Sequence, residues 1–287
     1  MSLSISPIIQ VSELKKLHKS ENVILVDVRN GKNAKSDYEA KHLEGAIFLD
    51  LNTQLSEIKQ DLSIGGRHPL PKIENFAETL SSIGITQESH VVIYDDKNGS
   101  NAAARFWWML KSIGHHKVQV LNGGIQEAEK NTFPMSSKTE PIKKTEKLYA
   151  IDNWKLQIAE IEYVEKVSQS KNHLLIDVRS AERYNGETEP IDLIAGHIPG
   201  AINIPFAENL DENGLFLAPD LLKQKYEKLF GNVEIENVIF HCGSGVTACH
   251  SLLAISYAEM EIPKLYVGSW SEWSRNNKTI EIEPSQE

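Results

Sequence analysis

The chain has 287 residues, 40% hydrophobic and 24% charged, a globular composition with length for one large domain or two ordinary ones. A formal net charge of −10 argues against a general nucleic-acid or anionic-membrane partner. With only two cysteines, Cys242 and Cys249, there is neither a disulfide framework nor a zinc knuckle, so no metal is expected.

In chain order, the opening Met1-Ser-Leu-Ser-Ile-Ser-Pro7 lacks the basic and apolar regions of a secretion signal. The longest apolar runs are too short to span a bilayer, so a soluble, cytoplasmic protein without membrane partners is expected. Residues 23–28 form a short, almost continuous β-branched run, the pattern of a strand buried on both faces of a parallel sheet. Residues 73–82 read as an amphipathic helix closed by Gly84, 91–94 as a second buried strand, and 102–113 as a helix closed by Gly114. Residues 133–149, rich in Lys, Ser, Thr and Pro, read as a linker. Beyond it, strands are expected at 174–178 and 237–240, and helices at 219–229, closed by Gly231, and 248–260.

The second set copies the first. Val23-Ile-Leu-Val-Asp27-Val-Arg29 returns as His173-Leu-Leu-Ile-Asp177-Val-Arg179, and His42-Leu-Glu-Gly45-Ala46-Ile47 as His197-Ile-Pro-Gly200-Ala201-Ile202. Val91-Val-Ile-Tyr94-Asp95 returns as Val238-Ile-Phe-His241-Cys242. Matches in the same order at nearly constant separation mean a duplicated domain. The fold class is therefore α/β: two tandem domains, residues 1–135 and 150–287, each an open parallel sheet with helices on both faces.

The segment richest in chemistry is Ile239-Phe240-His241-Cys242-Gly243-Ser244-Gly245-Val246-Thr247-Ala248. A strand ends at Cys242, a glycine loop follows, and a helix starts near Thr247. Glycines let such a loop turn several backbone N–H groups toward one point, and the helix adds its positive end. A cysteine at that focus is expected as a reactive thiolate. A lone cysteine is more often a small core residue, and Cys249, within the helical pattern, reads that way. Phosphate-ester cleavage is disfavoured because Ala248 stands where an arginine is needed to clamp the phosphoryl oxygens. Sulfur transfer, with a persulfide anion held by the loop, fits better.

Cys242-Gly-Ser-Gly-Val-Thr-Ala248, with Gly196-His-Ile-Pro-Gly-Ala201 before it and Gly268-Ser-Trp-Ser-Glu-Trp273 after it, resembles the tandem-domain rhodanese-family sulfurtransferases. The resemblance spans nearly the whole chain. It implies two rhodanese-like domains with an inactive first copy, where Asp95 takes the cysteine's place, and a second copy carrying the catalytic Cys242. The loop sequence is similar to that of 3-mercaptopyruvate-using members, with thiosulfate as the alternative donor and a non-catalytic binding module as the rival class. It further implies that Ser244 works with His68, in Gly65-Gly-Arg-His-Pro-Leu-Pro71, and with Asp61, or else Glu57, as carboxylate, and that the cleft lies between the halves. The alternative for His68 is an ordinary loop histidine, but the two glycines before it and the proline after it suggest a loop of fixed shape and favour the functional reading. By the same likeness, Gly243, Gly245, Val246 and Thr247 bind substrate through the loop, and Arg183 grips the donor's carboxylate. The chain departs from the pattern at Asn185 and at Glu189-Pro-Ile-Asp192, where many such enzymes carry a second arginine. The Asp27–Arg29 and Asp177–Arg179 pairs read as structural charges, and Trp270 and Trp273 as either pocket wall or core. The implied partners are a small sulfur donor and a thiol acceptor such as thioredoxin, with no cofactor required.

Overall fold

The computed structural model describes residues 5–18, 20–143, 145 and 147–282; residues 1–4 of the opening segment and 144 and 146 of the linker lie outside the described residues. The chain forms two compact units. One comprises Met1–Ser56, Pro71–Lys155 and Glu212–Phe216, the other Glu57–Leu70, Leu156–Asp211 and Leu217–Glu287. No helix among the described residues is long and apolar enough to cross a membrane.

The first unit contains β1 (Ile8–Ile9), β2 (Val23–Asp27), β3 (His42–Leu43), β4 (Ala46–Phe48), β5 (His90–Tyr94), β6 (Val118–Leu121) and β7 (Met135–Ser136). Its main sheet runs β1-β6-β5-β2-β4, all parallel. The second unit contains β8 (Ile158–Ala159), β9 (Leu174–Asp177), β10 (Ile202–Asn203), β11 (Val238–His241) and β12 (Lys264–Tyr266). Its parallel sheet, β8-β12-β11-β9-β10, repeats the first strand for strand. The central strands carry apolar side chains on both faces because helices cover both, and Val91, Val92, Ile93, Val238, Ile239 and Phe240 are fully buried. Burial of each such side chain contributes roughly 1.5–3 kcal/mol.

The helices follow the same logic. Ile73–Ser82 buries Phe76, Ala77, Leu80 and Ser81, one face at helical spacing, while Ala248–Tyr257 is buried all round from Ala248 to Ile255. Part of the expected linker is built into the first unit: Phe133 is buried and Met135–Ser136 pairs antiparallel with His42–Leu43. Low apolar content did not signal this, because a two-residue strand needs only backbone partners.

The repeated motifs prove to be repeated staples. Arg29 and Arg179 each donate Nε and Nη2 to the buried carboxylate two residues earlier, Asp27 and Asp177. His42 stacks on Tyr38 at 4.1 Å and His197 on Tyr184 at 3.8 Å, with each tyrosine hydroxyl donating to the carbonyl of Ala46 or Ala201. Asp-Val-Arg and Gly-His-Ile-Pro-Gly thus lock strand ends.

Candidate active site

At the carboxyl end of β11 the chain enters the loop from Cys242 to Thr247, and Ala248 opens the following helix. Gly245 adopts φ +68°, and a Cβ there would stand 2.4 Å from the carbonyl oxygen of Val267. Only glycine permits that approach. The loop is fastened by the Trp270 and Ser271 N–H groups, donated to the carbonyls of Cys242 and Gly243 at 3.0 and 2.8 Å, and by Cys242 N–H donated to Ser269 Oγ at 3.2 Å. Cys242, Ser244 and Val246 are buried, whereas Thr247 is half-buried. Cys249 is fully buried with Sγ 3.3 Å from the Gly245 carbonyl, a core position.

Residues 57–70, although early in the chain, belong to the second unit. Gly66 passes so close to Gly268 that a Cβ would meet its carbonyl oxygen at 2.5 Å. Gly65 N–H donates to Glu272 Oε1 at 2.7 Å and Asn276 Nδ2 to the Ser63 carbonyl at 2.8 Å. Glu272 is buried, which raises its carboxyl above the ordinary range against the pull of the Gly65 N–H. These fastenings bring His68 Nδ1 to 2.8 Å from Ser244 Oγ. Asp61 stands on an exposed turn instead, where its carboxylate accepts the Ser63 N–H at 2.9 Å and is lowered by Ser63. Glu57 donates its backbone N–H to the Pro69 carbonyl at 3.1 Å.

Arg183 also lies at the loop, with its guanidinium engaged by Glu189: Nε donates to Oε2 at 3.1 Å and Nη2 to Oε1 at 2.7 Å. The side-on fork expected for a donor carboxylate is therefore already occupied, leaving its Nη1/Nη2 end. Asp192, at the sequence departure, has a side chain with no exposure, and it accepts from Arg67 Nε at 3.1 Å and from Arg275 Nη1 at 2.9 Å. Neither Arg67 nor Arg275 stood out in the sequence; the only signal was that Arg67 adjoins His68. Arg179 stacks 4.8 Å over Trp270, and both Trp270 and Trp273 pack in the hydrophobic core, so they are core and not pocket wall. Burial lowers the pKa of His241, against Asp177 4.0 Å away, and so favours the neutral ring beside Cys242. Among the described residues no group of three His, Cys, Asp or Glu side chains is arranged to hold a metal.

The site thus gathers a buried thiol, a hydroxyl–imidazole pair and guanidinium groups around one glycine loop. That set can attack an electron-poor sulfur, hold an anion and move a proton. The chain matches the Rhodanese-like domain family over residues 10–131 and 160–276. It is 38% identical to a probable 3-mercaptopyruvate sulfurtransferase of Pseudomonas aeruginosa over 82% of each chain. It is 34% identical to the thiosulfate sulfurtransferase of Rattus norvegicus over 85% of this chain and 81% of that one. Among solved structures, the 3-mercaptopyruvate sulfurtransferase of Leishmania major superposes with a TM-score of 0.80 at 27% identity, covering 93% of this chain and 74% of that one.

Proposed function

Because the chain belongs to the rhodanese family of sulfurtransferases, we propose that it carries sulfur from 3-mercaptopyruvate, through a Cys242 persulfide, to a thiol such as reduced thioredoxin, or to cyanide. The observation that carries the choice of donor is the 2.8 Å contact between His68 Nδ1 and Ser244 Oγ, two residues beyond Cys242.

In this reading the Cys242 thiolate attacks the donor's sulfur. The carbon–sulfur bond breaks, its electron pair goes to carbon, and a pyruvate enolate leaves. Ser244 passes the enolate a proton and is recharged through His68, which takes up the proton that the donor's thiol gives up, leaving the outer sulfur as the persulfide anion. Backbone N–H groups of Gly243, Gly245, Val246 and Thr247 hold the persulfide anion. An acceptor thiolate then takes the outer sulfur and releases Cys242. The first copy, with Asp95 at the corresponding place, carries no sulfur. Thiosulfate is the second reading, favoured by the guanidinium groups beside Gly243, which suit a dianion.

Side-by-side kcat/KM for the two donors, repeated on Ser244→Ala, tests the choice. Thiosulfate generates no enolate. Ser244→Ala is expected to lower kcat with 3-mercaptopyruvate by ~10²-fold or more and to spare thiosulfate. Equal loss with both donors overturns the mercaptopyruvate reading and makes Ser244 a loop-shaping residue.

A further inference from the structure

Two guanidinium groups converge on the residue next to the reactive cysteine. A methyl group built on Gly243 would lie 3.0 Å from Arg67 Nη2, and 3.4 and 3.5 Å from Nη2 and Nη1 of Arg183. Glycine at 243 leaves open the space that these cations face. We propose that Arg67 is a second anion-binding residue of this site, gripping the donor's negatively charged end together with Arg183, and that Asp192 is the positioning residue that aims it. The proposal rests on the sulfurtransferase reading given above.

Both arginines are held from behind in the same way. Asp192 takes the Nε–Nη2 edge of Arg67 at 3.1 and 3.3 Å, as Glu189 takes that of Arg183. Each therefore offers its Nη1/Nη2 end, and one end-on guanidinium is a weaker carboxylate clamp than a free side-on fork. Two such ends converging on one oxyanion restore a two-point grip. Asp192 is suited to aiming because it cannot wander: its side chain has no exposure, its N–H donates to Glu189 Oε1 at 3.0 Å, and Arg275 Nη1 holds its Oδ1 at 2.9 Å. The Arg67 side chain is 20% exposed and that of Arg183 16%, so an incoming anion reaches both. The carboxylates do not cancel the site's charge: four arginines, Arg67, Arg183, Arg275 and Arg179, stand around three carboxylates, Asp192, Glu189 and Asp177. The one cation in excess offsets the charge of the thiolate itself, so an anionic donor approaches without a net negative field.

Arg67→Gln in the full chain tests this. Loss of a charge-assisted contact is expected to raise KM for 3-mercaptopyruvate by ~10- to 100-fold while kcat changes by less than ~3-fold. Arg67→Lys, which keeps the charge but loses the planar end, is expected to fall between the two. Asp192→Asn is expected to raise KM as well, and to add little once Arg67 is Gln. With the uncharged methyl ester of 3-mercaptopyruvate as probe, wild type and Arg67→Gln should load Cys242 with one sulfur, seen by intact mass, at equal rates. A KM within ~2-fold of wild type overturns the proposal, and so does equal loss with acid and ester, which marks Arg67 as merely structural. If wild type prefers thiosulfate, the same KM comparison is made with that dianion. Wild-type protein that gains no sulfur from either donor overturns the underlying reading, and the proposal with it.

Discussion

The loops that follow β5 and β11 are two versions of one device. In each, a central strand ends and the next residue's carbonyl accepts an N–H from a later helix: Ile125 to Asp95 at 3.1 Å, Trp270 to Cys242 at 3.0 Å. In the first unit the loop closes on itself. Asp95 Oδ1 accepts the N–H groups of Lys97 and Gly99 at 2.9 and 2.8 Å, and Oδ2 those of Asn101 and Ala103 at 3.1 and 3.2 Å. In the second unit Cys242 offers a single sulfur, and its loop is one residue shorter. The difference teaches what the ring of amides in the first unit selects: an anion with acceptor atoms just beyond Cβ, which the Asp95 carboxylate supplies permanently. Under the proposed function, a persulfide on Cys242 would supply it only once sulfur has been loaded.

The sharpest way to break the comparison is to remove the sulfur. Cys242→Ser is expected to lower sulfur transfer by on the order of 10³-fold or more, and Cys249→Ser by less than ~2-fold, with pyruvate release and intact mass as readouts. Equal loss from both would place the chemistry elsewhere. In the other loop, Asp95→Ala leaves four backbone N–H groups without their acceptor and is expected to destabilise the first unit by about 2–4 kcal/mol in denaturant unfolding. A loss below ~0.5 kcal/mol would mean that water fills the ring equally well.

The smallest effect is in pH. Burial raises Asp95, with the amide donors opposing it, so its contribution to stability is fullest below the ordinary carboxylate range and is lost as pH rises through its folded value. Burial also pushes Asp177 up, but Arg179 pulls it below its ordinary value, so its contribution is present above about pH 4 and is lost as pH falls through its folded value. Thermal unfolding between roughly pH 3 and 6 should therefore change slope in opposite directions in Asp95→Asn and Asp177→Asn. Parallel shifts would refute the assignment.

The architecture was legible because duplication prints the same pattern twice, and buried parallel strands are continuous apolar runs. The helix at Ile73–Ser82 and the central strands lie within a residue or so of where their patterns end. The two- and three-residue strands, such as Ile158–Ala159 and Ile202–Asn203, are too short to carry periodicity. At the site, Cys242 announced itself through the glycines around it, and the approach of His68 to Ser244 came only through a family likeness. Arg67 and Asp192 were not legible as a pair, because 125 residues separate them and nothing local marks either as needing the other. Trp270 and Trp273 were ambiguous because an aromatic ring suits a core and a pocket wall alike, and packing alone decides.

The assignment of residues 57–70 to the second unit has a consequence for how the chain is made and divided. His68 and Ser244 are 176 positions apart, and Ser63 and Asn276 are 213 apart. During synthesis the early segment must wait for almost the whole chain before its partners emerge, whereas the strands of the first unit can pair at once. Long-range closures of this kind are slow steps. A gene cut at the linker would give a first product with most of its own sheet and a second product missing the segment that carries His68 and Arg67. The two copies look like separable modules on paper, yet inheritance of the second requires inheritance of the first.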